Sequence, residues 1–184
     1  RTRNPLEYLR FNDNPRPYRT EKFSFPDEML QTLDMPEILK ERIFDPKNGD
    51  VDIPQMSKWS EDLISLYNAV GLCIRPPVLH TVGPTLISEM YAALTGIDIT
   101  PEEIIKAGER IWNLQKLFNI RHGEKPEDSR FPDRFYSEPA SSGKTLDRAK
   151  VAEVLKEYYK ARGWDQITGQ PLPDKLQELD LTNQ

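Results

Sequence analysis

The chain has 184 residues, 37% of them hydrophobic and 30% charged, with a formal charge of −5 and a single cysteine. A domain of this size can bury a real core. Net negative charge without a basic stripe speaks against a nucleic-acid binder, and no run reaches the roughly 18 to 20 apolar residues of a membrane span. One cysteine rules out an internal disulfide and, taken alone, an iron–sulfur cluster, which needs about four thiolates. Nothing behind Arg1-Thr2-Arg3-Asn4-Pro5 resembles a signal-peptide core, so a cytoplasmic protein is expected. The start without Met reads as a fragment or a processed product.

Residues 1–56 are proline-rich, with Pro5, Pro15, Pro17, Pro26, Pro36, Pro46 and Pro54 interrupting every candidate helix. Short helices are predicted at Asp27–Leu33 and Pro36–Ile43, the latter with Pro36 at its first position and Glu37 in its first turn. The segment is expected to wrap another body, and residues 45–54 read as a loop. Residues 57–184 read as the helical domain. Trp59, Leu63, Leu66, Tyr67 and Val70 recur at helical spacing between a candidate cap, Ser57, and a stop, Gly71. A second helix runs from Pro84 to Leu94, before Gly96. Thr100-Pro101-Glu102-Glu103 is a capping box that opens a third, which ends before Gly123.

Residues 123–145 then read as a polar loop. A fourth helix, Leu146–Arg162, is predicted to bury Leu146, Ala149, Val154, Leu155 and Tyr158, with Tyr159 as a further candidate and Gly163 as its stop. The tail holds a turn around Gly169 and Pro171, then a short helix from Pro173 to about Leu179. No alternating strand pattern of useful length appears. The fold class is all-α, an irregular multi-helix domain behind a proline-rich N-terminal segment.

Gly143-Lys144-Thr145 suggests a phosphate loop, but Glu138 stands where that pattern needs glycine and no strand precedes it. Thr145 is read as a helix cap. Asp45, Asn48, Asp50 and Asp52 around Gly49 lack the spacing of a calcium loop and its closing glutamate. His122, at the end of the third helix, suits the helix dipole. His80, seven residues after the cysteine in a proline-flanked segment, is the candidate catalytic histidine. Cys73 follows Gly71 at a helix exit and precedes Ile74-Arg75-Pro76-Pro77, a context that can present a thiolate and nearby amides to a ligand. The alternative is an inert structural thiol.

Asn68-Ala69-Val70-Gly71-Leu72-Cys73 resembles the Asp-x-x-Gly-Leu-Cys motif of tungsten-containing aldehyde ferredoxin oxidoreductases. Three further stretches agree with that family: Tyr91–Gly96 with the capping box after it, Gly108–Gly123, and Tyr158–Asp165 with Gly169 and Pro171. The resemblance covers roughly residues 57–181 and implies the helical C-terminal domain of such an enzyme. It further implies a tungsten-bispterin centre beside a 4Fe-4S cluster, aldehyde oxidation to carboxylic acids, and ferredoxin as electron acceptor.

By the same resemblance Cys73 is the fourth cluster thiolate, and Asn68, Gly71, Leu72 and Cys73 line the pterin. The N-terminal pterin-binding and middle domains of the same protein would then be this chain's partners, and the isolated chain would be inactive. Asn68 replaces the family's aspartate and keeps an acceptor oxygen without its charge. No histidine stands in residues 1–72, where relatives carry one near the metal. Two other readings are a relative that acts on an aryl-CoA thioester and a helical interaction module without a redox role. Exposed apolar surface is expected wherever neighbouring domains are missing.

Overall fold

The computed structural model describes residues 33–45, 50–74, 82–139, 143 and 145–182. The helix expected at 27–33 lies almost wholly outside them, as do His80 and Lys144. The described elements are helical apart from one two-residue antiparallel pair, so the all-α expectation holds. Two compact units divide the chain, residues 1–112 and residues 113–184.

In the first unit, α1 (Glu37–Ile43) takes Pro36 as its N-cap, and Glu37 in its first turn pairs with Lys40 at 2.8 Å. Residues expected to be loop next pair as β1 (Phe44–Asp45) and β2 (Asp50–Val51), with Phe44 opposite Val51. Helix α2 (Ile53–Val70) starts five residues before the predicted start after Ser57. Its cap is Asp52, whose Oδ1 accepts from the Gln55 amide at 2.9 Å. Pro54, read in the sequence as a breaker, sits in the first turn, where its missing N–H leaves no carbonyl unpaired. This capping role also accounts for one carboxylate of the calcium-like cluster. Met35, Ile43 and Phe44 share a core with Met56 and Trp59, so the described part of the proline-rich segment packs on α2.

Helix α3 (Pro84–Thr95) has Gly83 as its N-cap and no local side chain to satisfy its first amides. Asp34, distant in sequence, takes that role: its carboxylate accepts from the Thr85 amide at 3.1 Å and from Thr85 Oγ1 at 2.7 Å. Gly83 permits this approach, because a Cβ there would overlap the Asp34 side chain. Helix α4 (Pro101–Arg121) opens with the expected box, Glu103 N to Thr100 Oγ1 at 3.1 Å and Thr100 N to Glu103 Oε2 at 2.8 Å. Further along α4, Gly108 lies against the Asp62 carbonyl of α2 so closely that a Cβ could not be fitted. Beside this contact Lys58 Nζ bridges Asp62 at 2.9 Å and Glu109 at 3.1 Å.

The second unit corrects the predicted loop at 123–145. A 3-10 turn (Pro126–Ser129) and the short helix α5 (Arg134–Ser137) occupy part of it. Helix α6 (Arg148–Arg162) is capped by Asp147, whose carboxylate accepts from the Ala149 amide at 2.8 Å, and Thr145 is not the cap. Leu146, Ala149 and Val154 are exposed, contrary to expectation, while the helix buries Tyr159, a candidate from the sequence, and Arg162, which was not one. Apolar periodicity marks a face that can be covered without saying that a neighbour covers it. Trp164, after the left-handed Gly163 (φ +68°), bridges to Pro171, and α7 (Pro173–Glu178) follows. Among the described residues, no helix is long and apolar enough to cross a membrane.

Candidate functional site

The segment singled out in the sequence begins inside α2. Tyr67 is fully buried with Leu66, Ile87 and Ile104, and the half-buried Leu72 packs on the same cluster. The Tyr67 carbonyl accepts from the Gly71 amide and, at 2.8 Å, from the Leu72 amide. These two bonds satisfy carbonyl valence at the helix end in the manner of a left-handed cap. Gly71 has φ +76° with open space around its Cα, so glycine is favoured there by conformation and not by crowding.

The consequence for the side chains is direct. With Leu72 drawn onto the core, Cys73 emerges exposed beyond it. Asn68, in the last turn of α2, is exposed as well. Asn68, Gly71, Leu72 and Cys73 are therefore brought together at one helix exit, whereas His80 lies outside the described residues.

The exit is joined to the start of α3 by Tyr67, whose hydroxyl donates to the Val82 carbonyl. Burial, with a smaller contribution from the Asp34 charge, pushes the Tyr67 phenol up to about 12. The phenol is thus a fixed neutral donor across the ordinary pH range. Sequence reasoning placed Tyr67 only in the apolar stripe; its hydroxyl was a signal that a buried tyrosine needs a polar partner.

The donor set bears on a metal centre. Among the described residues no three His, Cys, Asp or Glu side chains converge to hold a metal ion. One exposed thiol at a defined turn can contribute a single ligand to a cluster completed elsewhere, and the residues fit the implied cluster in that sense only. His122 is engaged within its own helix end: its Nδ1 lies 2.8 Å from the Phe118 carbonyl and its ring 4.0 Å from the Phe118 ring, as expected of a histidine closing a helix.

By architecture the chain is an all-α domain with one thiol displayed at a glycine-closed helix end. The family model described as aldehyde ferredoxin oxidoreductase, domains 2 & 3, matches residues 16–181, and the chain belongs to this family. The match extends the resemblance well into the proline-rich segment. Tungsten-containing aldehyde ferredoxin oxidoreductases from Pyrococcus furiosus and Pyrococcus horikoshii are 35% and 34% identical to it over 139 residues. Those residues are 74% of this chain and 22% of each relative, so the chain corresponds to about a fifth of their length. Among solved structures, the active site complex BamBC of benzoyl coenzyme A reductase with 1,5-dienoyl-CoA has the same fold, with a TM-score of 0.65. It is 23% identical, and the likeness covers 97% of this chain and 30% of that one.

Proposed function

We propose that this chain is the C-terminal part of a cytoplasmic tungsten-bispterin oxidoreductase that converts aldehydes to carboxylic acids and delivers the electrons to ferredoxin. In the whole protein Cys73 supplies the fourth thiolate of a 4Fe-4S cluster, whose other ligands come from a preceding domain. The observation that carries this reading is the pairing of an inward Leu72 with an exposed Cys73 just past a left-handed Gly71. That arrangement holds the backbone rigidly while offering the sulfur outward. When bound, the tungsten-pterin centre supplies the two-electron chemistry and the cluster carries the electrons away singly.

The chain's own residues bind and orient. Asn68 presents an amide acceptor and donor to the pterin edge, where a neutral side chain gives a weaker contact than an aspartate. Gly71 keeps the approach to the cofactor clear of side-chain atoms. Leu72 excludes water beneath the thiolate. Exposed apolar side chains such as Leu94 and Ile97, at 83% and 57% exposure, suit burial against the neighbouring domains of the same protein. His80 would be the proton carrier nearest to Cys73 in sequence.

The test uses the full-length protein purified without oxygen. Cys73→Ser should lower cluster iron and alter its electron paramagnetic resonance, with loss of aldehyde-dependent electron transfer. Unchanged iron, spectrum and turnover would favour an interaction module with an inert cysteine. Turnover of aromatic CoA thioesters in place of aldehydes would assign the chain to the aryl-CoA branch.

A further inference from the structure

We propose that the last turn of α2 lowers the midpoint potential of the cluster that Cys73 ligates, by setting the negative end of a long helix beside the thiolate with no cation to offset it. The inference rests on the assignment of Cys73 as a cluster ligand and deepens it. Helix α2 runs for 18 residues, and its aligned peptide dipoles leave about half a negative charge at the last turn. Cys73 follows Val70 by three residues, no more than about 10 Å of extended chain. A basic side chain often stands at such an end, as Arg42, Arg121 and Lys160 do in the last turns of α1, α4 and α6; α2 has none.

The turn itself keeps the carbonyl end open. The Gly71 and Leu72 amides both go to the Tyr67 carbonyl, so the Leu72 amide is drawn away from the Asn68 carbonyl that helical spacing would give it. Asn68, Ala69 and Val70 are exposed, with the exposed Cys73 just beyond them. Between Asp62 and Arg75 the sequence holds no Asp, Glu, Lys, Arg or His, so no charged side chain of this stretch competes with the backbone. Uptake of one electron makes a cluster more negative by one charge, and net charge is among the factors that set its potential. A fixed negative partial charge nearby opposes that uptake, and salt screens it little where water is excluded. The resulting lower potential favours passing the electron on.

The experiment places charge at Ala69, an exposed last-turn residue outside the proposed cofactor contacts, in the full-length, cluster-loaded protein. Ala69→Lys, Ala69→Glu and Ala69→Gln are compared, the last having the size of the glutamate variant without its charge. The cluster midpoint potential is read by electron paramagnetic resonance during a redox titration, with Cys73→Ser alongside. Relative to Ala69→Gln, Ala69→Lys should raise the one-electron reduction constant and Ala69→Glu should lower it, each about fivefold, or about 40 mV at 59 mV per tenfold change. Shifts of the same sign in both, as repacking would give, or no shift in either, would overturn the tuning role. A Cys73→Ser protein that keeps its full cluster would instead overturn the ligand assignment on which the role depends.

Discussion

The Trp164 indole Nε1 donates to the Asn113 side-chain oxygen at 2.8 Å, and both residues are buried. This bond joins two positions 51 residues apart and fixes the turn after α6 within the second unit. Around it, Tyr158 and Tyr159 pack on the Trp164 ring at 5.9 and 6.0 Å, and Lys116 lies 5.2 Å above it. The fully buried Arg162 lies 5.9 Å from the same ring and donates from Nε to the Tyr158 hydroxyl at 3.2 Å. Trp164→Phe keeps most of the apolar area but takes the indole donor from a buried oxygen. The expected loss is about 1–3 kcal/mol, read as a lower denaturation midpoint.

Gly108→Ala tests the closest approach of α2 and α4. The added methyl would collide with the Asp62 carbonyl, a backbone atom that cannot rotate away. Alanine at an open helical site stabilises by about 1 kcal/mol; here the sign reverses, and overpacking of this kind costs about 1–3 kcal/mol. Thermal melting should show a lower midpoint for Gly108→Ala, and an unchanged or higher one would contradict the close approach.

The start of α4 should respond to acid. Hydrogen bonds from the Thr100 amide and hydroxyl hold the Glu103 carboxyl below its ordinary value of 4.5. A carboxyl lowered in the folded state adds stability above its unfolded value, and that stability is lost as pH falls through the folded value. Protection of the first α4 amides against hydrogen exchange should therefore weaken below pH 4.5. Thr100→Ala should weaken this dependence without abolishing it, because the residue-100 amide still donates to Glu103, and should cost about 1 kcal/mol of helix stability at neutral pH.

Tyr67 makes the opposite, alkaline prediction. Its phenol is raised from 10.0 to about 12 in the folded protein. A raised value contributes stability that is complete below 10 and disappears as pH climbs toward 12. Ultraviolet titration should show a tyrosine step displaced upward from 10 toward 12, and Tyr67→Phe should eliminate that late step. An identical titration curve for Tyr67→Phe above pH 10, apart from its one fewer phenol, would show that the Tyr67 hydroxyl is not buried.

Several features were legible because they are local. The capping box at Thr100 and Glu103, the stops at Gly71, Gly96 and Gly163, and the exit bearing Cys73 each depend on residues within one turn of one another. The start of α2 was misplaced for a local reason too. Asp52 outcompeted Ser57 as cap because a proline two residues inside a helix costs no hydrogen bond.

The sequence by itself determined the helical class, the family and the grouping of Asn68, Gly71, Leu72 and Cys73, since periodicity, caps and a short motif are carried by neighbouring residues. Only the tertiary structure decided that Asp34 caps α3, that Asn113 meets Trp164, and that the Tyr67 hydroxyl meets the Val82 carbonyl. It also decided that Arg162 is buried while Leu146 and Val154 are exposed. Burial and long-range hydrogen bonding depend on which surfaces the fold brings together, and no spacing along the chain encodes that choice.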